Sequence, residues 1–175
     1  MRILLLTLLA FSLTYAGNFT LTSSDINGQL TKNQEFDGFG CSGKNISPEL
    51  MWSDAPKGTK SFAIIMYDKD APTGSGWWHW LAFNIPASTT HIASNASKLK
   101  LLPKGTIEGT NDYGAVGFGG ACPPKGHGDH TYLITIHALD VAQLDINEKT
   151  NQAVVGYRVN SHTIQKSSII SYYKR

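Results

Sequence analysis

Charge is scarce in this chain. Asp, Glu, Lys and Arg make up 16% of its 175 residues, and no block of Lys and Arg occurs anywhere. A nucleic-acid binder carries a basic patch or stripe, and a net charge of +2 without clustering excludes that footprint. Cysteine is almost absent, with Cys41 and Cys122 the only two. Neither belongs to a C-x2-C pair, so the spacing of structural zinc sites is missing. No apolar run beyond residue 16 is long enough to cross a bilayer. No internal repeat, linker or low-complexity tract interrupts the chain. Hydrophobic residues at 41% are too many for a disordered protein.

What is present begins with the first sixteen residues. Arg2 supplies a positive start, Ile3 to Leu13 is almost unbroken apolar sequence, and Thr14-Tyr15-Ala16 places small residues at −3 and −1. This tripartite pattern predicts a secretory signal peptide over 1–16, cleaved after Ala16, with 17–175 as a single domain. The alternative is an N-terminal core strand or helix. No cysteine follows Ala16, so a lipid anchor is not indicated. Export places the protein in the periplasm or outside the cell, where an oxidising environment favours a Cys41–Cys122 disulfide. The alternative for that pair is two free buried thiols. A bridge closing about 80 residues would stabilise the fold by roughly 4 kcal/mol at most.

Strand signals dominate the rest. Phe19–Thr22 alternates; Phe62–Tyr67 is a continuous apolar run of the kind expected for a strand buried on both faces. Leu81–Ile85 ends at Pro86, Tyr132–Leu139 is long and rich in β-branched residues, and Ser168–Tyr173 forms a last strand. Residues 87–120 read as loop with weak short elements. The best helix candidate is Asn147–Val159, weakened by about 1 kcal/mol at Gly156; a second short helix is predicted to end near Gln165. The fold class is therefore mainly β, a sandwich or sheet pair with a few peripheral helices.

Polar residues collect at the ends of these strands. Asp68-Lys69-Asp70-Ala71-Pro72 follows one apolar run, Trp77-Trp78-His79-Trp80 opens the next, and Gly117 to His130 leads into the third. Loops at strand ends carry function on a rigid scaffold. His79 and His130 can donate hydrogen bonds, Asp68 and Asp70 can orient them, and Tyr132 adds a hydroxyl. Gly117, Gly119 and Gly120 can aim backbone N–H groups at a ligand. The three tryptophans supply apolar walls. Such a set suits an anion with an organic tail, a phosphate monoester or phosphorylated headgroup. Each piece has a plainer reading: a turn for Asp-x-Asp-Ala-Pro, a core histidine for His79, a disulfide-shaped loop for Gly120-Ala121-Cys122-Pro123, and a metal site for His127-Gly128-Asp129-His130. His91, His137 and His162 lack comparable company.

Taken in order, the motifs resemble the phosphatidylethanolamine-binding protein family, the group that includes Raf kinase inhibitor protein. They are Asp68-Lys69-Asp70-Ala71-Pro72, Trp77-x-His79-Trp80, Gly117-x-Gly119-Gly120-x-x-Pro123-Pro124-x-Gly126 with His130-x-Tyr132, and Asn45-x-x-Pro48-x-Leu50-x-Trp52. The Gly-Gly-Ala-Cys-Pro-Pro form and Cys41 resemble the bacterial YbhB/YbcL branch. One departure stands out: Lys69 occupies the place where the family's Asp-Pro-Asp-Ala-Pro signature has proline. The lysine either faces solvent or pairs with a carboxylate and changes ligand preference.

The resemblance implies a central antiparallel sheet packed on a smaller sheet, with helices toward the C-terminus. It implies an anion-binding pocket lined by Asp68, Asp70, Pro72, Trp77, His79, Gly119, Gly120, His130 and Tyr132, with His79 and His130 as the principal donors. No cofactor, metal or activated nucleophile is expected, so binding of a small anion or phosphorylated ligand is favoured over catalysis. Two alternatives compete: inhibition of a protease or kinase through a surface loop, and a His/Asp hydrolase. Bacterial relatives make a homodimer one expectation.

Overall fold

The computed structural model describes residues 18–175, and the signal-peptide reading of 1–16 falls outside them. In chain order the elements are β1 (Thr20–Thr22), β2 (Asp37–Gly38), β3 (Cys41–Ser42), β4 (Leu50–Ser53), β5 (Ser61–Asp68), β6 (Trp77–Pro86), β7 (His91–Ile92), α1 (Ala96–Leu99), β8 (Ile107–Glu108), β9 (His130–Leu139), α2 (Gln152–His162) and β10 (Thr163–Tyr173).

Five strands form the central sheet in the order β10-β9-β5-β6-β8, every pair antiparallel. The continuous apolar run of β5 is explained by its place at the centre, covered on both faces. On one face Phe62, Ile64 and Met66 pack against Phe19, Leu21, Leu50, Trp52 and Ile92, which come from or adjoin a smaller sheet ordered β1-β4-β7. On the other, Ala63 and Ile65 meet Val155 and Val159 of α2. Each large apolar side chain buried this way is worth about 1.5–3 kcal/mol. The mainly β, two-sheet expectation holds.

Strand β6 carries two irregularities. Phe62 pairs with Ile85 and Ile64 with Ala82, so β6 spends one extra residue there. Asn84 takes up that slack with φ 58°, and its Oδ1 accepts from Leu144 N at 2.8 Å. Farther along, Met66 pairs with Trp80 and Tyr67 with Trp78, which makes His79 an extra, unpaired residue. A bulge bends the strand and re-aims one side chain; here that side chain is an imidazole.

The helices correct two sequence expectations. Residues 147–150 are not the first turn of α2: Asn147 N bonds Thr150 Oγ1 and Lys149 N bonds Asn147 Oδ1, closing a separate turn. The helix starts after Asn151, whose side chain caps Ala153 N at 3.0 Å. Gly156, a weakness by propensity, is a contact point: a Cβ there would meet the Trp78 ring at 2.9 Å. No helix ends at Gln165, which lies within β10; the chain turns from α2 into that strand at Thr163.

Candidate functional site

Antiparallel register brings the polar strand ends together. Asp68 is opposite Trp77 on β6 and Tyr132 on β9, and His130 is opposite Tyr173 on β10. A cavity of about 520 Å³ opens at this end of the central sheet. Asp68, Pro72, Trp77, His79 and His130 line it. The other residues predicted for the site, Asp70, Gly119, Gly120 and Tyr132, stand behind that lining.

His79 is 1% exposed. Its Nδ1 lies 2.7 Å from the Gly119 carbonyl, which can only accept, so Nδ1 carries the proton. The exchange is reciprocal, because Gly119 N donates to the His79 carbonyl at 2.8 Å. Burial pushes the imidazole down to about 4, against the pull of Gly119 and the Asp68 carboxylate, so the ring is neutral at pH 7. Its Nε2 is buried without a partner.

His130 is equally buried. Nδ1 donates to Asp68 Oδ2 at 2.7 Å, and Nε2 lies 2.8 Å from Nδ1 of the exposed His127. Asp68 Oδ1 accepts from the Asp70 amide at 2.8 Å. Asp70 itself turns away from the cavity. Its carboxylate takes Thr131 N at 2.8 Å and Lys69 Nζ at 2.7 Å, and these hold it down at about 2. Lys69 fits neither alternative alone: it pairs with the Asp70 carboxylate, but with its side chain 53% exposed and outside the cavity lining.

Two expectations about donors are corrected. The glycine loop does not aim free amides at the cavity, because Gly117 N bonds Gly109 O, Gly119 N bonds His79 O and Gly120 N bonds Asn45 Oδ1. Gly119 and Gly120 are needed for close approach instead. A Cβ on Gly119 would meet Tyr113 at 2.5 Å, and one on Gly120 would meet Gln34 O at 2.2 Å. Nor are the histidines free donors, since the N–H of His79 and the Nδ1–H of His130 are committed within the protein.

Sequence reasoning missed five lining residues: Phe39, Thr73, Tyr113, Lys125 and Arg175. Tyr113 stacks on Phe36 with centroids 3.8 Å apart and meets Trp77 edge-on at 5.2 Å. Phe39 is 71% exposed and holds φ 52°, between Gly38 and Gly40 and beside the Cys41–Cys122 disulfide, whose Cα atoms are 5.9 Å apart. Arg175 Nε donates to Pro123 O at 2.8 Å and Nη1 to Gly40 O at 2.5 Å. An aromatic between two glycines next to a predicted bridge was a usable signal for Phe39. A last strand was legible too, but not its pairing of Tyr173 with His130, which carries Arg175 to the mouth. Tyr113 had no such signal. Among the described residues no group of three His, Cys, Asp or Glu is placed to hold a metal ion, and Asp129 leans to Lys174 at 3.6 Å.

Fold and cavity define a class: two-sheet β proteins with an aromatic-walled cavity where three strand ends meet. The chain belongs to the phosphatidylethanolamine-binding protein family, whose model matches residues 26–174. It is 46% identical to the UPF0098 protein YbcL of Escherichia coli over 163 residues, covering 91% of this chain and 89% of that protein. It is 43% identical to YbhB of the same organism, covering 87% and 98%. The crystal structure of E. coli YbcL superposes with a TM-score of 0.88, covering 91% of this chain and 99% of that one.

Proposed function

We propose that this protein binds a phosphate-type anion, free or as a phosphorylated headgroup, in the Asp68–His79–His130 cavity. It acts by binding and regulation rather than catalysis, in the periplasm or outside the cell. The observation that carries this reading is the pairing of two cations, Lys125 and Arg175, with aromatic walls around a polar floor. Cations and a few fixed polar groups in an apolar cleft suit a small charged ligand with an organic tail. Two of the five guanidinium donors of Arg175 are spent on carbonyls, which orients the charge and leaves the others to a ligand.

The Thr73 hydroxyl and the Cys122 sulfur at the cavity wall are committed elsewhere, which supports binding over chemistry. Thr73 Oγ1 donates to Gly76 O, and Cys122 is in a disulfide. That disulfide also supports export, since such bonds persist in oxidising compartments. Native mass spectrometry of protein purified from its own host tests the reading: a retained phosphate-containing mass, released intact on unfolding, is expected. Protein that is bare, and that shows no calorimetric response to millimolar inorganic phosphate or O-phosphoethanolamine, rejects it. Tighter binding of O-phosphoethanolamine than of phosphate would assign a headgroup as the occupant.

A further inference from the structure

Most polar atoms around the cavity are already used. Asp68 accepts from the Asp70 amide and from His130, His130 Nε2 faces His127, and the Tyr113 hydroxyl donates to Gly120 O at 2.9 Å. Of the buried side-chain atoms without a partner among the described residues, three belong to residues lining or backing the cavity: His79 Nε2, Trp77 Nε1 and Tyr132 Oη. They are chemically unequal. Trp77 Nε1 can only donate, and the Tyr132 hydroxyl can donate or accept. His79 Nε2 is a lone pair, because the ring's one proton is held at Nδ1 by Gly119. The Tyr132 ring packs 5.2 Å from the His79 ring but stands behind the lining, so of the three only His79 Nε2 and Trp77 Nε1 belong to residues that line the cavity.

A buried lone pair left facing another lone pair loses a hydrogen bond and pays desolvation. A sulfate ester or a carboxylate has bare oxygens and no proton to give. A phosphate monoester in its monoanionic form has both a P–OH and unprotonated oxygens. We infer that the cavity selects phosphate-type anions that retain a proton over sulfate-type anions that carry none, with His79 Nε2 accepting that proton's hydrogen bond. The inference rests on the proposed anion-binding function and goes beyond it by naming the protonation state the site reads.

The groups around His79 leave its ring neutral. Asp68 favours the imidazolium, His130 opposes it, Tyr113 and Tyr132 are neutral phenols held above their ordinary range by burial and Asp68, and burial outweighs the rest. The charges farther out are Lys69 with Asp70, and Lys125 and Arg175 at the wall. A ligand ammonium could also satisfy the lone pair, so the test uses amine-free probes.

Calorimetric titration of the protein with phenyl phosphate and phenyl sulfate compares two esters of nearly equal shape. At pH 6, where a phosphate monoester still holds much of its last proton, phenyl phosphate should bind roughly 10- to 100-fold more tightly. Its affinity should then fall about tenfold per pH unit above 7 as that proton is lost. Equal affinity for the two esters, with phenyl phosphate unchanged from pH 6 to 8, overturns the selectivity and leaves anion binding standing. Failure of both esters to bind overturns the anion reading with it.

Discussion

Gly119 sets the proton position on His79, and its side-chain hydrogen has no room to grow. Gly119→Ala drives a Cβ into Tyr113 at 2.5 Å and Asn111 at 3.0 Å. We expect a loss of about 1–3 kcal/mol, read by urea denaturation, and a loss of selectivity between phenyl phosphate and phenyl sulfate as the carbonyl shifts. Lys69 behaves differently. It does not line the cavity, so Lys69→Gln should leave ligand affinity unchanged while the Asp70 carboxyl, now held at about 2, titrates at higher pH in an NMR experiment. An exposed pair of this kind is worth little to stability. Asp68, His79 and His130, which line the cavity, were legible as candidates because each belongs to a strand-end motif. Their bonding was not, because composition and spacing do not say which nitrogen meets which carbonyl. The glycine loop shows the same limit: its lack of side chains was visible, whereas its amides' partners, Gly109, His79 and Asn45, come from distant segments.

At the level of elements, β6 decides where the imidazole points. Its bulge at His79 is made in the strand's register with β5, and the second irregularity at Asn84 restores the phase of the apolar residues between them. Asn84 sits at φ 58° and also accepts from Leu144 N. Asn84→Ala loses the hydrogen bond and forces a Cβ-bearing residue without asparagine's tolerance into the left-handed region, at a cost of about 2–4 kcal/mol. Asn84→Gly loses only the bond, and should unfold at a higher urea concentration than Asn84→Ala. The order reversed would mean that backbone strain is not what Asn84 relieves. Strands β5, β6, β9 and β10 were readable as apolar or β-branched runs. The bulges were not, since one surplus residue shows only when two strands are aligned. The start of α2 was misread because Asn147 and Asn151 are both good caps, and Thr150 closes a turn on the first.

Across the whole molecule, two histidines couple stability to acid. Burial holds His79 and His137 at about 4, below the ordinary value near 6.5. Between those values the unfolded chain binds more protons than the native one, so stability is full above 6.5 and falls as pH drops toward 4. Each group contributes a slope of up to about 1.4 kcal/mol per pH unit. His137→Leu should remove about half of that slope in urea unfolding followed from pH 7 to 4; an unchanged slope would place the acid sensitivity elsewhere. The Cys41–Cys122 bridge matters at this scale as well. Its loop of 81 residues implies roughly 4 kcal/mol of stability that reduction should take away, measurable as a lowered urea midpoint with reductant. Cys122 is also part of the cavity wall. A ligand that binds the bridged form more tightly than the reduced one links occupancy to electrons, and such a link runs both ways. If reduction weakens ligand binding tenfold, saturating ligand must make the bridge harder to reduce by about 30 mV. A pocket walled by its own disulfide would thus report the redox state of its surroundings as ligand held or ligand released.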